Sequence, residues 1–272
     1  MKILTSLRKP FIMRIWESHP KFWKFLIDFG ILIKYKTLKI HKIPQKITLP
    51  SARILYVNAK ENRGRALLIS NGTTQKRLHH FWTHAVKEYR PDLVIDVGVN
   101  YGECIFSATY PLESNIIGIE ANRNLLKYIN RSKDAHPNKA QISIINAIAS
   151  DKELDENFFY IDKHWSGTST ASYIPKHSLV EKVPVSSITI DGFLDKDKNR
   201  SYRSVLFKVD VEGYEAFVLK GMTNLITNSP SLLGFIEFNS EYITKSGYDV
   251  EVFLNFLQEI LPFMFIKKMI QF

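Results

Sequence analysis

Short apolar runs alternate with amphipathic stretches along the second two-thirds of the chain. Runs of this length bounded by turn residues are typical of strands buried on both faces, and stretches of about 10–15 residues between them fit helices. The runs are 93–97, 115–120, 140–147, 204–210 and 232–238, with a closing strand at 262–269. The pattern predicts a doubly wound, mostly parallel α/β sheet, which is a Rossmann-like fold.

The predicted helices lie between these runs, and one segment breaks the alternation. The helices are at 103–110, 124–133, 214–222 and 249–260. Residues 151–203 are rich in Asp, Lys, Ser, Gly and Pro, so we interpret them as an insertion of loops and short strands that includes "FFYID" and "VPVSSITI".

The first 90 residues follow a different pattern. The stretch "ARILYVNAKENRGRALLIS" predicts two short strands around a polar turn at 61–64, and a helix follows from near Thr74 to the break at Pro91. We therefore divide the chain into an amphipathic N-terminal extension (1–49), a hairpin and helix (50–90) and the α/β core (91–272).

The N-terminal extension carries almost all of the net charge. The formal charge is +10, and residues 1–50 hold eleven Lys and Arg against two acids. Every apolar stretch there is interrupted by charge, which excludes a secretory signal and a membrane span. The segment "KFWKFLIDFGILIK" (21–34) has helical sidedness, and such a helix suits either docking on the core or peripheral contact of residues 1–40 with an anionic membrane. The rest of the chain, residues 51–272, has a net charge near zero, which argues against nucleic acid as a partner.

Three residues that could carry metal or thiol chemistry receive little weight. His80 and His84 are spaced as in zinc sites but have no evident third ligand, so no metal is predicted. Cys104 is the single cysteine, so no intrachain disulfide forms, which fits a reducing compartment and a cytoplasmic location.

Polar residues end the predicted core strands. In a doubly wound sheet, ligands bind beyond the carboxyl ends of the strands. The residues at these ends are Asp96, Glu120, Asn146 with Ala147, Asp210 and Glu237. We therefore expect a ligand site along this edge.

Glu120 indicates a nucleoside. It ends the second strand, where a carboxylate can accept both hydroxyls of a ribose. The turn after the first strand is Gly98-Val99-Asn100-Tyr101-Gly102, which is not the G-x-G-x-x-G of pyrophosphate sites. Asp96 would repel a pyrophosphate but could hold an amino group, and a helix N-terminus could receive a carboxylate.

S-adenosylmethionine combines these groups and is the predicted cofactor. An NAD-type oxidoreductase is the alternative that the missing third glycine disfavours. The predicted cofactor-binding residues are Asp96, Gly98, Asn100, Gly102, Glu120, Ala121, Asn146, Ala147 and Asp210.

An ordered set of motifs resembles the FkbM-type S-adenosylmethionine-dependent methyltransferases. The motifs are "VIDVGVNYGE", "IIGIEANRNLLKYI", "IINAIASD", "SGTSTAS", "VSSITIDGFL", "LFKVDVEGYEAFVLKGM" and "GFIEFN". They cover residues 92–240, and the K-x-D-x-E-G-x-E stretch at 208–215 is the most specific; Val99 departs from the usual Ala. The resemblance implies a class I methyltransferase fold and methylation of a hydroxyl oxygen on a sugar, glycan, glycolipid or related metabolite.

Asp210 is the first candidate for the base or the residue that orients the acceptor, because it ends the fourth strand. Lys208 and Glu212 are further catalytic candidates, although Lys208 could instead pair with an acid and Glu212 could start a helix. Glu215 could brace this loop by a hydrogen bond. In the insertion, "DKHWSGTSTASY" combines His164 with Trp165 and small hydroxyls, which suits sugar contact and makes His164 an alternative base.

These observations predict an S-adenosylmethionine-dependent O-methyltransferase, cytoplasmic or peripheral at the inner face of the membrane. A cofactor-binding scaffold without catalysis is a second alternative, which the acids around Asp210 argue against.

Overall fold

The computed structural model describes residues 19–174, 179–196 and 201–261, so the predicted closing strand at 262–269 lies outside the described residues. The helices are α1 (Pro20–Tyr35), α2 (Asn62–Ile69), α3 (Lys76–Tyr89), α4 (Leu126–Asp134), α5 (Ile190–Asp195), α6 (Glu215–Lys220), α7 (Thr223–Asn228), α8 (Ser240–Lys245) and α9 (Val250–Ile260). The strands are β1 (Lys46–Thr48), β2 (Ile54–Tyr56), β3 (Leu93–Val97), β4 (Asn115–Ile119), β5 (Ile142–Ile145), β6 (Ile148–Ala149), β7 (Leu154–Asp162), β8 (Val180–Ile188), β9 (Ser204–Val209) and β10 (Ser231–Ile236).

Five parallel strands form the central sheet in the order β10-β9-β3-β4-β5. The chain runs outward from β3 through β4 to β5 and then returns to the other side of β3 with β9 and β10. The strand order therefore reverses between β3 and β9, and ligands of doubly wound folds bind at such a point. The prediction of a Rossmann-like α/β fold is confirmed.

Helices cover both faces of the central sheet. Alternate residues of β3 point to opposite faces, as the twofold repeat of a strand requires. Leu93, Ile95 and Val97 pack with the apolar sides of α6, α7, α8 and α9. Val94 packs on the other face with α1, α2, α3 and α4. The N-terminal extension is thus part of the core on that face.

The insertion folds as a small sheet beside the central one. Strands β7 and β8 pair in an antiparallel hairpin, as the alternation in "FFYID" and "VPVSSITI" suggests, and β6 joins β8 in parallel. Phe159, Ile161 and Val183 form its apolar core together with Ala121 and Ile148. This packing fixes the insertion beside the carboxyl ends of the central strands.

The prediction of a turn at 61–64 between two strands was wrong, because helix α2 begins at Asn62 and continues to Ile69. Glu61 caps α2 by accepting hydrogen bonds from the amides of Arg63 (2.9 Å) and Gly64 (2.8 Å). Gly64, which resembles a turn residue in the sequence, serves close packing: a Cβ atom there would lie 2.3 Å from the carbonyl oxygen of Asn58.

The predicted helix at 103–110 was also wrong, because this segment consists of turns. The amide of Phe106 donates to the carbonyl of Gly102 (3.1 Å) in the α-helical pattern, but the amide of Ser107 donates to Cys104 (2.9 Å) in a tighter turn. The Ser107 hydroxyl donates to the same carbonyl (2.7 Å), and such local bonds compete with helix propagation.

The helices found within 19–174, 179–196 and 201–261 are all too short or too polar to cross a lipid bilayer.

Candidate active site

A cavity of about 600 Å³ opens over the carboxyl ends of β3, β4 and β9, where the sequence predicts a ligand site. Such a volume fits a ligand of drug or cofactor size. The predicted residues that line it are Gly98, Asn100, Glu120, Ala121, Ala147, Asp210 and Glu212. Strand β9 and its loop form one side, and the insertion and helix α1 form the outer wall.

A buried ion pair joins β3 to β9 behind the cavity. Asp96 and Lys208 are register partners on these neighbouring strands, and the Nζ of Lys208 lies 3.1 Å from Oδ1 of Asp96. The same ammonium lies 3.6 Å from Oδ2 of Asp210 and donates to the carbonyl of Gly98 (3.0 Å). It therefore ties the β3 turn to the end of β9.

Lys208 is protonated, and its contacts suit a role in holding the β3 turn against the end of β9. Burial alone would lower its pKa, but the carboxylates of Asp96 and Asp210 outweigh burial and raise the pKa above its ordinary value. Its contacts with Asp96 and Asp210 fit the alternative in which Lys208 pairs with acids, and Lys208 does not line the main cavity, so its catalytic role stays a prediction. Asp96 reaches a small side cavity behind Gly98 and Asn100 instead of the main one.

Gly98 allows the β3 turn to approach the end of β9. Its φ is +77°, and a Cβ atom there would lie 2.0 Å from the carbonyl oxygen of Asp210. Gly102 has φ +89° and packs against the ring of Phe106 rather than lining the cavity. Since this turn is not followed by a helix, the predicted helix N-terminus for a ligand carboxylate is absent.

Glu120 is held in the cavity wall by two backbone amides. Its Oε2 accepts from the amide of Asn100 (2.6 Å) and its Oε1 from the amide of Asn122 (2.7 Å). Burial raises its pKa to about 6, and the two amides oppose that shift. Each carboxylate oxygen has a further lone pair, so both can still accept hydroxyl hydrogens.

Asn146 supports Glu120 from outside. Its side-chain amide donates to the carbonyls of Glu120 (2.8 Å) and Ala121 (3.1 Å), while the residue is exposed and does not line the cavity. The prediction that Asn146 contacts cofactor is therefore replaced by a role in fixing the turn, whereas its neighbour Ala147 does line the cavity.

Three carboxylates meet on the β9 side of the cavity. One oxygen each from Asp210, Glu212 and Glu237 lies within 4.8 Å of the others. Burial, followed by repulsion from Asp210 and Glu212, raises the pKa of Glu237 well above its usual range. The cluster therefore has a high affinity for a proton, and its three oxygens are also of the type that hard cations bind.

Glu215 braces the loop that carries this acid cluster, as the sequence suggested. Its Oε1 accepts from the amides of Val211 and Gly213, both at 3.1 Å. The loop needs this support because Glu212 has φ +55° and Gly213 φ +96°. Burial raises the pKa of Glu215 to about 7, and the backbone amides oppose that rise.

Glu61 joins three distant parts of the chain beside the cavity, and sequence reasoning missed it. Besides capping α2, its carboxylate accepts from the amide of Ser166 (3.0 Å) and the hydroxyl of Tyr101 (3.0 Å). Helix α2 was not predicted, and Glu is not among the preferred capping residues, so the signal for this role was weak.

The outer wall combines aromatic and cationic side chains. The Trp23 and Trp165 rings meet edge to face at 6.1 Å, and the guanidinium of Arg63 lies 5.7 Å from the Trp165 ring. Arg63 also pairs with Glu103, which accepts from the amide of Thr74 (2.7 Å). Of these residues only Trp165 was singled out in the sequence as a candidate for ligand contact; Trp23, Arg63 and Thr74 lie outside the shared motifs.

His164 does not face the cavity, although its neighbours Trp165 and Ser166 line it. Its Nδ1 lies 3.4 Å from the side-chain nitrogen of Asn62, and its carbonyl accepts from the same group (3.0 Å). The prediction of His164 as an alternative base is therefore withdrawn. Cys104 is buried, which raises its pKa and keeps it a thiol.

The fold and the cavity define a Rossmann-like α/β protein with a cleft of about 600 Å³ and a buried carboxylate at the end of its second core strand. The methyltransferase FkbM domain family matches residues 96–265, more than half of the chain. The chain belongs to this family.

Three solved structures resemble the chain at low identity. The methyltransferase FkbM of Methylobacillus flagellatus KT is 16% identical with a TM-score of 0.41, over 86% of this chain and 55% of that one. A putative O-methyltransferase from Klebsiella pneumoniae is 10% identical with a TM-score of 0.27, over 46% of this chain and 51% of that one.

A third, described as a possible exported protein from Bordetella parapertussis, is 13% identical with a TM-score of 0.31, over 73% of this chain and 57% of that one. The chain thus spans about half the length of these structures. No curated protein matches it in sequence.

Proposed function

We propose that the protein is an S-adenosylmethionine-dependent O-methyltransferase that acts on a hydroxyl of a sugar or glycan. The observation that carries the proposal is the composition of the cavity wall, which places Glu120 on the β4 side and the Asp210–Glu212–Glu237 cluster on the β9 side. A ribose acceptor and a proton acceptor in one cavity are what methyl transfer from a nucleoside sulfonium to a hydroxyl requires.

The residues present fit the cofactor. Glu120 retains lone pairs for the ribose hydroxyls, and Ala121, Ile148 and Phe159 offer an apolar wall for adenine. Gly98 and Asn100 line the part of the cavity that we assign to the amino acid part. When bound, S-adenosylmethionine supplies an electrophilic methyl group on a good leaving group.

The chain's own residues orient the acceptor and receive its proton. Asp210 lines the cavity and lies at the end of β9, within the acid cluster. We assign Asp210 to binding the acceptor hydroxyl, and the cluster that it forms with Glu212 and Glu237 to taking the proton. Burial and the neighbouring carboxylates raise the pKa of Glu237, which increases the affinity of the cluster for the proton that the acceptor releases.

A sugar ring fits the outer wall. Trp23 and Trp165 offer aromatic surface, and Arg63 and Gln75 offer hydrogen-bond donors on the same side of the cavity. Aromatic surface beside polar groups suits the apolar faces and hydroxyls of a pyranose. The proposed acceptor is therefore a glycan or glycolipid hydroxyl, without nucleic acid, and the proposed location is cytoplasmic or peripheral at the inner membrane face.

Calorimetry with S-adenosylhomocysteine and with NAD tests the cofactor assignment. We expect heat of binding with the former only. Tight binding of NAD without S-adenosylhomocysteine binding would show an oxidoreductase instead. If S-adenosylhomocysteine binds, incubation of enzyme, lysate and methyl-labelled cofactor then distinguishes an enzyme from a non-catalytic scaffold, since only the enzyme labels a lysate component.

A further inference from the structure

Helix α1 presents a continuous apolar face to solvent. Six of its large apolar side chains are between 39% and 61% exposed, namely Phe22, Phe25, Leu26, Phe29, Leu32 and Ile33. At 100° per residue they fall within one third of the helix circumference, opposite the buried Ile27 and Ile31. No charged residue lies within this sector, which we call the outer face of α1.

The inner face of α1 is docked on helix α2, so the outer face is held in place. Gly30 packs so closely that a Cβ atom there would lie 2.7 Å from the Cδ1 of Ile69. The Lys34 ammonium donates to the carbonyls of Leu68 (2.6 Å) and Ile69 (3.1 Å). Asp28 pairs with Arg65 and with Lys24. Docking on the core, one of the two alternatives from sequence, therefore accounts for only one side of this helix.

The border of the outer face is basic. Residues 19–46 contain seven lysines and one acid, Asp28, whose charge is already paired. After the helix, the exposed Leu38 and Ile40 alternate with exposed lysines at 36, 39 and 42. An apolar sector bordered by lysines complements an anionic lipid surface, since acyl chains receive the aromatic rings and headgroups the ammonium groups.

The same charges disfavour a second copy of the chain as the occupant. In a twofold dimer the same patch faces itself, so the lysine borders of the two copies would be brought together without acids to compensate. The charge distribution therefore favours a lipid surface over a second copy of the chain as the partner of this face.

We propose that the outer face of α1, with the segment at 36–42, binds an anionic lipid bilayer. Trp23 of the same helix lines the cavity and contacts Trp165. One helix therefore contributes both to the bilayer contact and to the cleft wall, so the methyl acceptor is a glycan carried on a lipid. This last step rests on the proposed function, whereas bilayer binding does not.

Flotation of the full chain with vesicles tests the bilayer contact. The vesicles contain phosphatidylcholine alone or phosphatidylcholine with phosphatidylglycerol. We expect flotation with the anionic vesicles and about tenfold or greater loss of binding in the double variant Phe25→Glu/Phe29→Glu. Leu112→Glu, at a residue that is 88% exposed elsewhere on the molecule, is the matched control and should bind as wild type.

Four results would overturn the proposal. The first is an unaltered chain that does not float, and the second is a double variant that floats like wild type. The third is loss of binding caused by Phe11→Glu/Ile15→Glu in the N-terminal residues while the α1 variant binds normally. A dimer by light scattering that Phe25→Glu/Phe29→Glu dissociates would also overturn it, by assigning the face to a second copy.

Calorimetry with S-adenosylhomocysteine separates this proposal from the function. Unchanged cofactor affinity in Phe25→Glu/Phe29→Glu shows that the fold is intact, so loss of flotation then reports the surface alone. If wild type floats but neither binds the cofactor nor methylates an extracted glycolipid, the methyltransferase assignment fails while the bilayer contact stands.

Discussion

Lys208 is the residue on which the geometry of the cleft depends most. Its ammonium is buried and lies between the carboxylates of Asp96 and Asp210. A buried pair of this kind gives limited net stability when complete, but removing one partner leaves an uncompensated charge.

We therefore predict that Lys208→Met lowers the free energy of unfolding by about 3–5 kcal/mol, because Asp96 loses its counter-charge. Urea unfolding followed by circular dichroism measures the change. The double variant Asp96→Asn/Lys208→Met should recover part of the loss, since it removes both charges. A Lys208→Met protein as stable as wild type would show that the pair is not what stabilises Asp96.

The second residue prediction concerns the proposed ribose contact. Glu120→Gln should weaken S-adenosylhomocysteine binding by about 1.5–3 kcal/mol, the range for a hydrogen bond to a charged group. Asn146→Ala is the matched control, because Asn146 holds the same turn but does not line the cavity. Calorimetry on both variants measures the difference. Equal losses in the two variants would assign Glu120 to the turn alone.

At the scale of elements, the core strands could be predicted because they are buried on both faces. Strand β3 has every residue buried, and its predicted bounds agree with the structure. The helix at 103–110 could not be excluded from sequence, because the bonds of Ser107 that stop it depend on local geometry. The glycine in α2 was misread because its packing partner, Asn58, is visible only in three dimensions.

The packing of α2 leads to an element prediction. Alanine is a better helix former than glycine by about 1 kcal/mol, so Gly64→Ala would stabilise an isolated α2. In the protein we expect destabilisation by about 1–3 kcal/mol, because the added methyl group meets the backbone of Asn58. Thermal unfolding measures the sign, and Ala66→Gly in the same helix is the control for propensity. A stabilised Gly64→Ala protein would contradict the packing argument.

For the whole molecule, the buried acids of the cleft make stability depend on pH. The pKa of Glu215 is about 7 in the folded protein, against an ordinary value of 4.5. The folded state therefore binds more protons than the unfolded state between these values, so this group's contribution to stability falls as pH rises from 4.5 to 7.

We predict that the free energy of unfolding of wild type, relative to Glu215→Gln, declines by about 3 kcal/mol across this window. The comparison isolates Glu215 from other titrating groups, such as His136, whose pKa burial lowers to about 4. Urea unfolding at several pH values measures the difference. A difference that stays constant from pH 4.5 to 7 would show that Glu215 does not change its proton affinity on folding.

The strand-end side of the cleft could be predicted from the sequence, whereas its outer wall could not. Glu120 and Asp210 end predicted strands, and parallel strands bring their ends to one edge by topology alone. Trp23 and Arg63 line the cleft, and Glu61 links α2 to Ser166, through contacts that span large separations along the chain. Neither periodicity nor a motif specifies such contacts. Docking of the N-terminal extension on the core was one of two alternatives from the sequence, but the contribution of Trp23 to the cavity wall was not predicted.

The hydrogen bonds of Glu61 have a consequence for the order of assembly during synthesis. Glu61 and Ser166 are 105 residues apart in sequence. Because Glu61 is synthesised before Ser166, this hydrogen bond forms only after the insertion has been translated, so the outer wall of the cleft is completed late in synthesis.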